Sequence, residues 1–519
     1  MAWKRAAVFA ALLFFGAARP SAAQDVTLTS PDGAVEITGM LLGFDGEFYR
    51  VDTQYGELTV DGSGVLCEGP GCPSLVDFVA ELAFSGSSAM AEVLLPSLIE
   101  GFALRNGLQT RRTAMQNARF AYALHRPDTE AKVAHFDFHV TNTDEGFADL
   151  LANEADVVMA LREIRKPEQT RAYEAAMGDM TDARRSRVLA LDAIVPIVSP
   201  GNPVREIATP DLARVFAGEI DNWQDLGGPD APIELHLPHA GSGLSQAVED
   251  KLLTPAKLVV AATAQRHPRS SAVSRAVTTD PFAIGMTSFA ETGNARALRL
   301  TGDCGFSLEA SRRTIKTEDY PLTAPMFLYL PARRLPKIAR EFLLYTRSPA
   351  AQIVIRRAGF VDQSPERIGI NAQGDRLANA IASAGEEVSL AELQTLIETV
   401  GSMTRLSTSF RFETGSTRPD AQSRANILQL AREIETGLYD AKRLLFVGFS
   451  DGEGPADGNR RIALKRAEAV RGAVLQAAEL PEVLQVEIGV EAFGEALPMA
   501  CDDSAWGRQV NRRVEVWMR

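Results

Sequence analysis

The sequence predicts a multidomain, mainly α/β protein. Three observations carry this. Short runs rich in β-branched and aromatic residues, punctuated by glycine, fill residues 24–73. Strand-like and helix-like patterns alternate over residues 74–362, a segment long enough for two lobes. They alternate again over residues 405–519, after a helical connector at 363–404. At roughly 100–200 residues per domain, this length predicts about three domains.

Met1–Ala23 reads as a secretory signal. Lys4 and Arg5 precede the apolar run Ala6–Ala18, and Ser21-Ala22-Ala23 offers small residues for cleavage. The run is short of the roughly 20 residues that cross a bilayer. The expected compartment is therefore extracytoplasmic and oxidising. The small β-domain follows, with strands at Val35–Phe44, Phe48–Gln54 and Gly56–Asp61. Asp45-Gly46-Glu47 and Tyr55-Gly56 are the hairpin turns, and a barrel-like closure fits. Cys67 and Cys72 flank Glu-Gly-Pro-Gly, a turn-forming segment, and are expected to pair. The sequence leaves the pairing of Cys304 and Cys501 open.

The middle region reads as helix over Ala89–Asn106, strand over Val133–Val140, helix over Glu145–Asn153 and strand over Ala155–Ala160. Ala190–Val198 is an apolar run interrupted by Pro196. Pro210–Ala217 is helical, and Ile233–Leu237 is a strand running into a glycine turn. In the connector, Gln373–Ala384 and Leu390–Val400 show helical spacing around Gly385-Glu386-Glu387. The last unit reads as strand (Ser409–Glu413), helix (Pro419–Thr436), strand (Arg443–Phe449), helix (Asn459–Leu480) and two strands (Val486–Ala492, Val514–Met518).

Composition removes several functions. Lys and Arg total 54 against 67 Asp and Glu, a net charge of −13. No basic surplus exists to neutralise phosphodiester backbones, so nucleic acid is not an expected partner. A 45% hydrophobic chain is not disordered. The candidate pocket serines have no His–Asp partners beyond His239, so an enzyme is not expected, and no cofactor is implied. His135, Asp137 and His139 alternate with Phe136, Phe138 and Val140, which puts the polar three on one strand face. A polar face opposite a buried one explains this more economically than a metal site, so no metal is expected.

The most specific motifs lie at the C-terminus. Phe410-Arg411-Phe412-Glu413-Thr414-Gly415-Ser416 opens the unit. Phe449-Ser450-Asp451-Gly452-Glu453-Gly454, Asn459 and Leu464-Lys465-Arg466-Ala467 follow, then Asn511-Arg512-Arg513-Val514-Glu515-Val516. A carboxylate at a strand end and a guanidinium on the next helix can read a zwitterion, one gripping an ammonium and the other a carboxylate. These motifs resemble the OmpA-like peptidoglycan-binding domain. The resemblance implies that Asp451 and Arg466 hold the diaminopimelate of a stem peptide and that Asn459 shapes the site. Of Arg512 and Arg513, one is expected to be structural and the other near the ligand, with Arg513 the candidate.

The middle region carries Ala190-Leu191-Asp192-Ala193-Ile194-Val195-Pro196, Ala217-Gly218-Glu219-Ile220-Asp221-Asn222-Trp223, Ala240-Gly241-Ser242-Gly243 and Asp280-Pro281-Phe282-Ala283-Ile284-Gly285-Met286. This series resembles the periplasmic phosphate-binding component of ABC transporters, which implies a two-lobed solute-binding fold. Helix N-termini and hydroxyls can hold a tetrahedral oxyanion. Ser87 and Ser88, Thr143, and Ser242-Gly243 each precede a predicted helix, though singly each also reads as an ordinary N-cap. Arg162 and His239 are the basic candidates. The family commonly has Ser-Gly-Thr where Ser242-Gly243-Leu244 stands, often a basic residue a few positions upstream where Pro238 and His239 stand, and a serine where Leu161 stands. Two lost hydrogen bonds of about 1.5–3 kcal/mol each would weaken oxyanion binding by roughly two to four orders of magnitude.

The sequence therefore predicts a periplasmic protein, attached to peptidoglycan near the outer membrane of a Gram-negative cell, that binds a small anion such as phosphate. Its further expected partners are an ABC permease or envelope proteins. The alternative is an envelope scaffold whose solute-binding fold is inert.

Overall fold

The computed structural model describes residues 25–74, 78–382, 384, 387–413, 415–478 and 485–519. The signal at Met1–Ala23, Gly385-Glu386 of the connector turn and Thr414 lie outside the described residues. The chain forms two compact units, residues 1–80 with 335–337 and residues 81–334 with 338–519.

The first unit is a five-stranded sheet in the order Gly56–Asp61, Phe48–Thr53, Glu36–Phe44, Asp25–Thr29, Leu66–Glu68. Every neighbouring pair is antiparallel. Period-two alternation buries Tyr49 and Val51 while Arg50 and Asp52 point out. The core is Val26, Leu28, Leu41, Tyr49 and Val51, and the Cys67–Cys72 disulfide packs against it. The barrel-like closure does not occur: the edge strands Gly56–Asp61 and Leu66–Glu68 are not paired among the described residues. A three-residue last strand is too short to close a barrel.

The second unit holds two lobes and a C-terminal sheet. One strand, Ser186–Val198, serves both lobes. Its first half pairs with Thr323–Tyr329, from Ser186 opposite Tyr329 to Ala193 opposite Thr323. Its second half pairs with Ala283–Ser288, from Ile194 opposite Ser288 to Val198 opposite Ile284. Pro196 does not interrupt it. The proline sits opposite Met286, and its carbonyl accepts from Leu298 N at 2.9 Å. The first lobe continues through Val157–Ala160, Ala80–Ser87, Lys132–Thr141, Arg119–His125 and Gln109–Ala114. The second lobe adds Glu234–Pro238 and Gln265–His267 beyond Ala283–Ser288. The helix expected at Ala89–Asn106 is a π-turn, Met90–Leu94, followed by an α-helix, Leu95–Arg105. The helix expected from Glu145 starts at Thr143, because the Asn142 side chain accepts from Glu145 N and caps it.

The C-terminal sheet has the order Arg367–Ile368, Thr404–Arg411, Arg513–Met518, Arg443–Phe449, Glu487–Ala492. Alternation along Arg443–Phe449 supplies two cores. Leu444 and Phe446 meet the helices Ala421–Glu435 and Ala456–Ala477 through Leu430 and Val470. Leu445, Val447 and Phe449 meet Leu393, Leu396 and Val400. The connector is thus more than a spacer: its helices Gly374–Ala382 and Leu390–Val400 cover one face of this sheet, and Arg367–Ile368 is an edge strand of it.

Two features tie this sheet to the lobes. A disulfide joins Cys304 to Cys501. Asp319, on the lobe side, sits between Arg405 and Arg411, with Arg405 Nη1 donating at 2.8 Å and Arg411 Nη2 at 3.1 Å. Burial opposes the Asp319 charge, but Arg405, Arg411 and Arg376 outweigh it and hold the carboxyl below its usual range.

Candidate functional sites

The first site lies where three predicted segments converge. Strand Ala80–Ser87 ends at Ser87, directly before a helix. Gly86 has φ +132°, and a Cβ there would stand 2.2 Å from Met159 O, so only glycine fits this close approach. Ser87 is 0% exposed, and its Oγ has no hydrogen-bond partner among the described residues. It faces Gly243 of the second lobe, where an added Cβ would lie 2.9 Å from Ser87 Oγ. Thr143 N donates to Gln246 Oε1 at 3.1 Å, and Asn142 Nδ2 donates to Gly241 O at 3.3 Å. The helix starts at 143 and 243 and the strand end at 87 are thereby brought together. Ser88 is half-buried one residue further on.

Several candidates have other work. Ser242 Oγ accepts from Ser245 N, an ordinary N-cap. Thr143 Oγ1 accepts from Leu161 N at 3.1 Å. His239 is exposed, and its Nδ1 accepts from Gly241 N at 3.1 Å, so it shapes the turn. Arg162 is a correction. Glu168 grips its guanidinium at 2.7 and 2.9 Å, and Asp144 also pairs with it. Its guanidinium is therefore already paired with two carboxylates of its own chain. A basic residue stands on a neighbouring strand. Arg266 lies opposite Leu237, and its Nη1 donates to Ser245 Oγ at 3.1 Å behind the Ser242-Gly243 turn. Beneath Ser87, Ser85 Oγ and His139 Nδ1 both meet Asp149 Oδ2, at 2.6 and 2.7 Å. Sequence reading missed Gln246, Arg266 and Asp149, because each becomes relevant only through a partner far along the chain. His135 Nε2 meets Asp137 at 3.3 Å, while Phe136 and Phe138 are buried on the opposite face.

The second site lies at the tips of the C-terminal sheet. Asp451 directly follows strand Arg443–Phe449 and Ser450. Its Oδ2 accepts from Arg512 Nη1 at 2.6 Å. Arg466, on helix Ala456–Ala477, is 4% exposed and lies over the Phe412 ring at 5.2 Å. Its Nε donates to Ser416 O at 3.3 Å. Burial lowers the Arg466 pKa, Arg512 adds repulsion and Asp451 opposes both. Asn459 Nδ2 donates to Glu495 Oε2 at 2.5 Å and to Gly454 O at 3.3 Å, which shapes the loop. Gly452 N donates to Asp502 Oδ2 at 2.7 Å. Arg513 is the second correction. It is 0% exposed, pairs with Glu515 at 2.7 Å and donates to Leu497 O at 2.8 Å. It belongs to the sheet interior, and Arg512 takes its place beside Asp451. Strand parity carried that signal: Arg513, Glu515 and Trp517 share one face of Arg513–Met518.

Among the described residues no group of three or more His, Cys, Asp or Glu is placed to hold a metal ion.

Residues 79–350 match the family described as PBP superfamily domain. The chain belongs to the PBP superfamily. Within that superfamily it is similar to the phosphate-binding protein PstS of Staphylococcus haemolyticus, 24% identical over 43% of this chain and 71% of the relative. It is 26% identical to PstS of Bacillus subtilis over 36% of this chain and 60% of the relative. Among solved structures, an ABC-type phosphate transport receptor from Vibrio cholerae aligns with 54% of this chain and 99% of its own, at 20% identity and a TM-score of 0.42. The peptidoglycan-associated lipoprotein from Burkholderia pseudomallei aligns with 21% of this chain and 89% of its own, at 25% identity and a TM-score of 0.19.

Proposed function

We propose that this PBP-superfamily protein is a binding protein of the cell envelope that takes a small oxyanion of the phosphate type between its lobes and docks on peptidoglycan through its C-terminal domain. The observation that carries the oxyanion reading is the Ser87 hydroxyl. It is a buried donor without a partner among the described residues, facing a helix start across the two lobes. A buried unsatisfied hydroxyl costs about 1–3 kcal/mol, which an oxyanion acceptor would recover. Arg266 supplies positive charge nearby. The relatives named as phosphate-binding proteins favour phosphate among oxyanions. For the C-terminal domain, Asp451, Arg512 and Arg466 set a carboxylate beside two guanidiniums, the complement of a diaminopimelate zwitterion. The secretory signal and this domain fit a periplasmic, wall-attached location, with an ABC permease as a further partner. A tethered receptor suits local capture of its ligand better than bulk delivery.

One contact favours a second reading, an envelope scaffold with an inert cleft. Gln246 Oε1 occupies the Thr143 N–H that an oxyanion would use.

Titration calorimetry on the full chain against phosphate, sulfate, molybdate and small carboxylates separates the readings. Micromolar or tighter heat, lost in Ser87→Ala, supports the oxyanion receptor. No heat and no thermal stabilisation with any of these anions would select the scaffold.

A further inference from the structure

A cavity of about 270 Å³ lies where strand Ser186–Val198 and the helix starting at Pro349 meet helix Ala421–Glu435 of the C-terminal domain. Three arginines line it. Arg187 comes from the strand shared by the lobes, Arg347 from the turn before the helix Pro349–Arg357, and Arg432 from the C-terminal domain. Among the described residues no carboxylate forms an ion pair with any of the three. Arg187 Nε donates only to the Arg184 carbonyl, at 3.2 Å.

The three charges disturb one another. Burial lowers the Arg347 pKa to about 10, and Arg187 and Arg432 add repulsion. Burial and Arg432 likewise lower that of Arg187. Arg405 and Arg513, elsewhere in this unit, are paired with Asp319 and Glu515, whereas Arg187 is half-buried and Arg347 and Arg432 are exposed at the cavity mouth without a paired acid among the described residues. The cavity has one carboxylate in its wall, Glu433. That group already accepts from Tyr439 Oη at 3.0 Å and Gln429 Nε2 at 2.8 Å. A second donor also lacks an acceptor: Gln363 Nε2 is buried, lines the same cavity and has no hydrogen-bond partner among the described residues. The remaining wall is partly apolar, with Leu189, Leu428 and Pro349. Convergent cations, an unspent amide donor and an apolar wall are the features of a site for an organic anion.

We propose that Arg187, Arg347, Arg432 and the Gln363 amide bind a small organic polyanion, a molecule with two or more carboxylate or phosphate groups on a partly apolar body, at the seam between the lobes and the C-terminal domain. This site is separate from the cleft at Ser87. Its ligand would bridge the two parts, so binding would stabilise their junction.

The test uses the full chain and two probes, citrate for polycarboxylates and fructose 1,6-bisphosphate for phosphate esters, each titrated calorimetrically at 150 mM salt. Saturable heat and a raised melting temperature are expected with at least one probe. Arg347→Gln/Arg432→Gln, at exposed positions that leave the fold intact, is expected to weaken that binding at least tenfold. Ser87→Ala is expected to leave it unchanged, which separates this site from the cleft. Heat with citrate alone assigns a polycarboxylate, and heat with the ester alone assigns a phosphate. The proposal is overturned if neither probe binds, or if the double variant, folded by circular dichroism, binds as the parent does.

Discussion

Asp451 is paired with Arg512, not with Arg466: its Oδ2 accepts from Arg512 Nη1 at 2.6 Å. The proposed peptidoglycan site is therefore a carboxylate near two guanidiniums, Arg512 paired with it and Arg466 on the next helix. Asp451→Ala and Arg466→Ala are each expected to reduce co-sedimentation with purified sacculi at least tenfold, with the melting temperature little changed for Asp451→Ala. Arg512→Ala should weaken binding as well. Arg513→Ala should act differently. It leaves Glu515 buried with one partner fewer, at a cost of about 3–5 kcal/mol of stability. A folded Arg513→Ala protein with normal stability and lost sacculus binding would return Arg513 to the site.

The Cys304–Cys501 disulfide spans 197 residues. In the chain-entropy picture, such a loop constrains the unfolded chain by about 5 kcal/mol, against about 2 kcal/mol for a loop as short as Cys67–Cys72. Cys304→Ser/Cys501→Ser should lose about 3–5 kcal/mol of unfolding free energy in denaturant titrations. A loss under about 1 kcal/mol would mean that the Asp319–Arg405 contacts alone hold the junction.

The parts that were legible in the sequence are those written locally. Arg443–Phe449 was bounded correctly because its apolar run ends at Ser450-Asp451, and the hairpin strands of the first unit because glycine turns separate them. The hairpin strand Gln109–Ala114 was invisible, since every residue of it is exposed and no alternation marks it. Arg162 looked like an anion ligand because its carboxylate partners sit one on the preceding helix and one on the next. The helices of the connector are legible but not where they pack, because their apolar faces name no partner until the sheet at 443–449 is in place. Cys304 and Asp319 could not be joined to Cys501 and Arg405 by any local pattern.

Glu318 gives the junction a pH dependence. Burial pushes its carboxyl up to about 8, Asp420 adds repulsion, and Arg411 and Lys251 oppose the rise. The unfolded carboxyl titrates near its ordinary value of 4.5. Between these values the folded state holds a proton that the unfolded state releases, so stability falls as pH rises from about 5 to about 8 and levels above that. Glu318→Gln removes this slope. Relative to the variant, the parent should lose on the order of 1–3 kcal/mol across that window in urea titrations. Parallel stability curves for the two proteins would show that Glu318 is ionised in the fold.

Gln246 decides between the two readings of the cleft. Its Oε1 accepts from Thr143 N, one of the free N–H groups at the start of helix Thr143–Leu151. An oxyanion reaching that N–H must displace the amide, losing one neutral hydrogen bond before gaining a charged one. Gln246→Ala removes the competitor and leaves Asn142, which caps Glu145 N, in place. If the cleft is a receptor, phosphate affinity should rise about fivefold to thirtyfold, the equivalent of about 1–2 kcal/mol. Gln246→Glu should lower it instead, because a fixed carboxylate at the helix start repels the ligand. If the amide is a permanent latch between the lobes, Gln246→Ala should lower the melting temperature and produce no phosphate heat. Calorimetry on the two variants, run beside the Ser87→Ala protein, distinguishes these outcomes. Unchanged phosphate affinity in Gln246→Ala, in a protein that binds phosphate, would move the ligand away from the Thr143 N–H altogether.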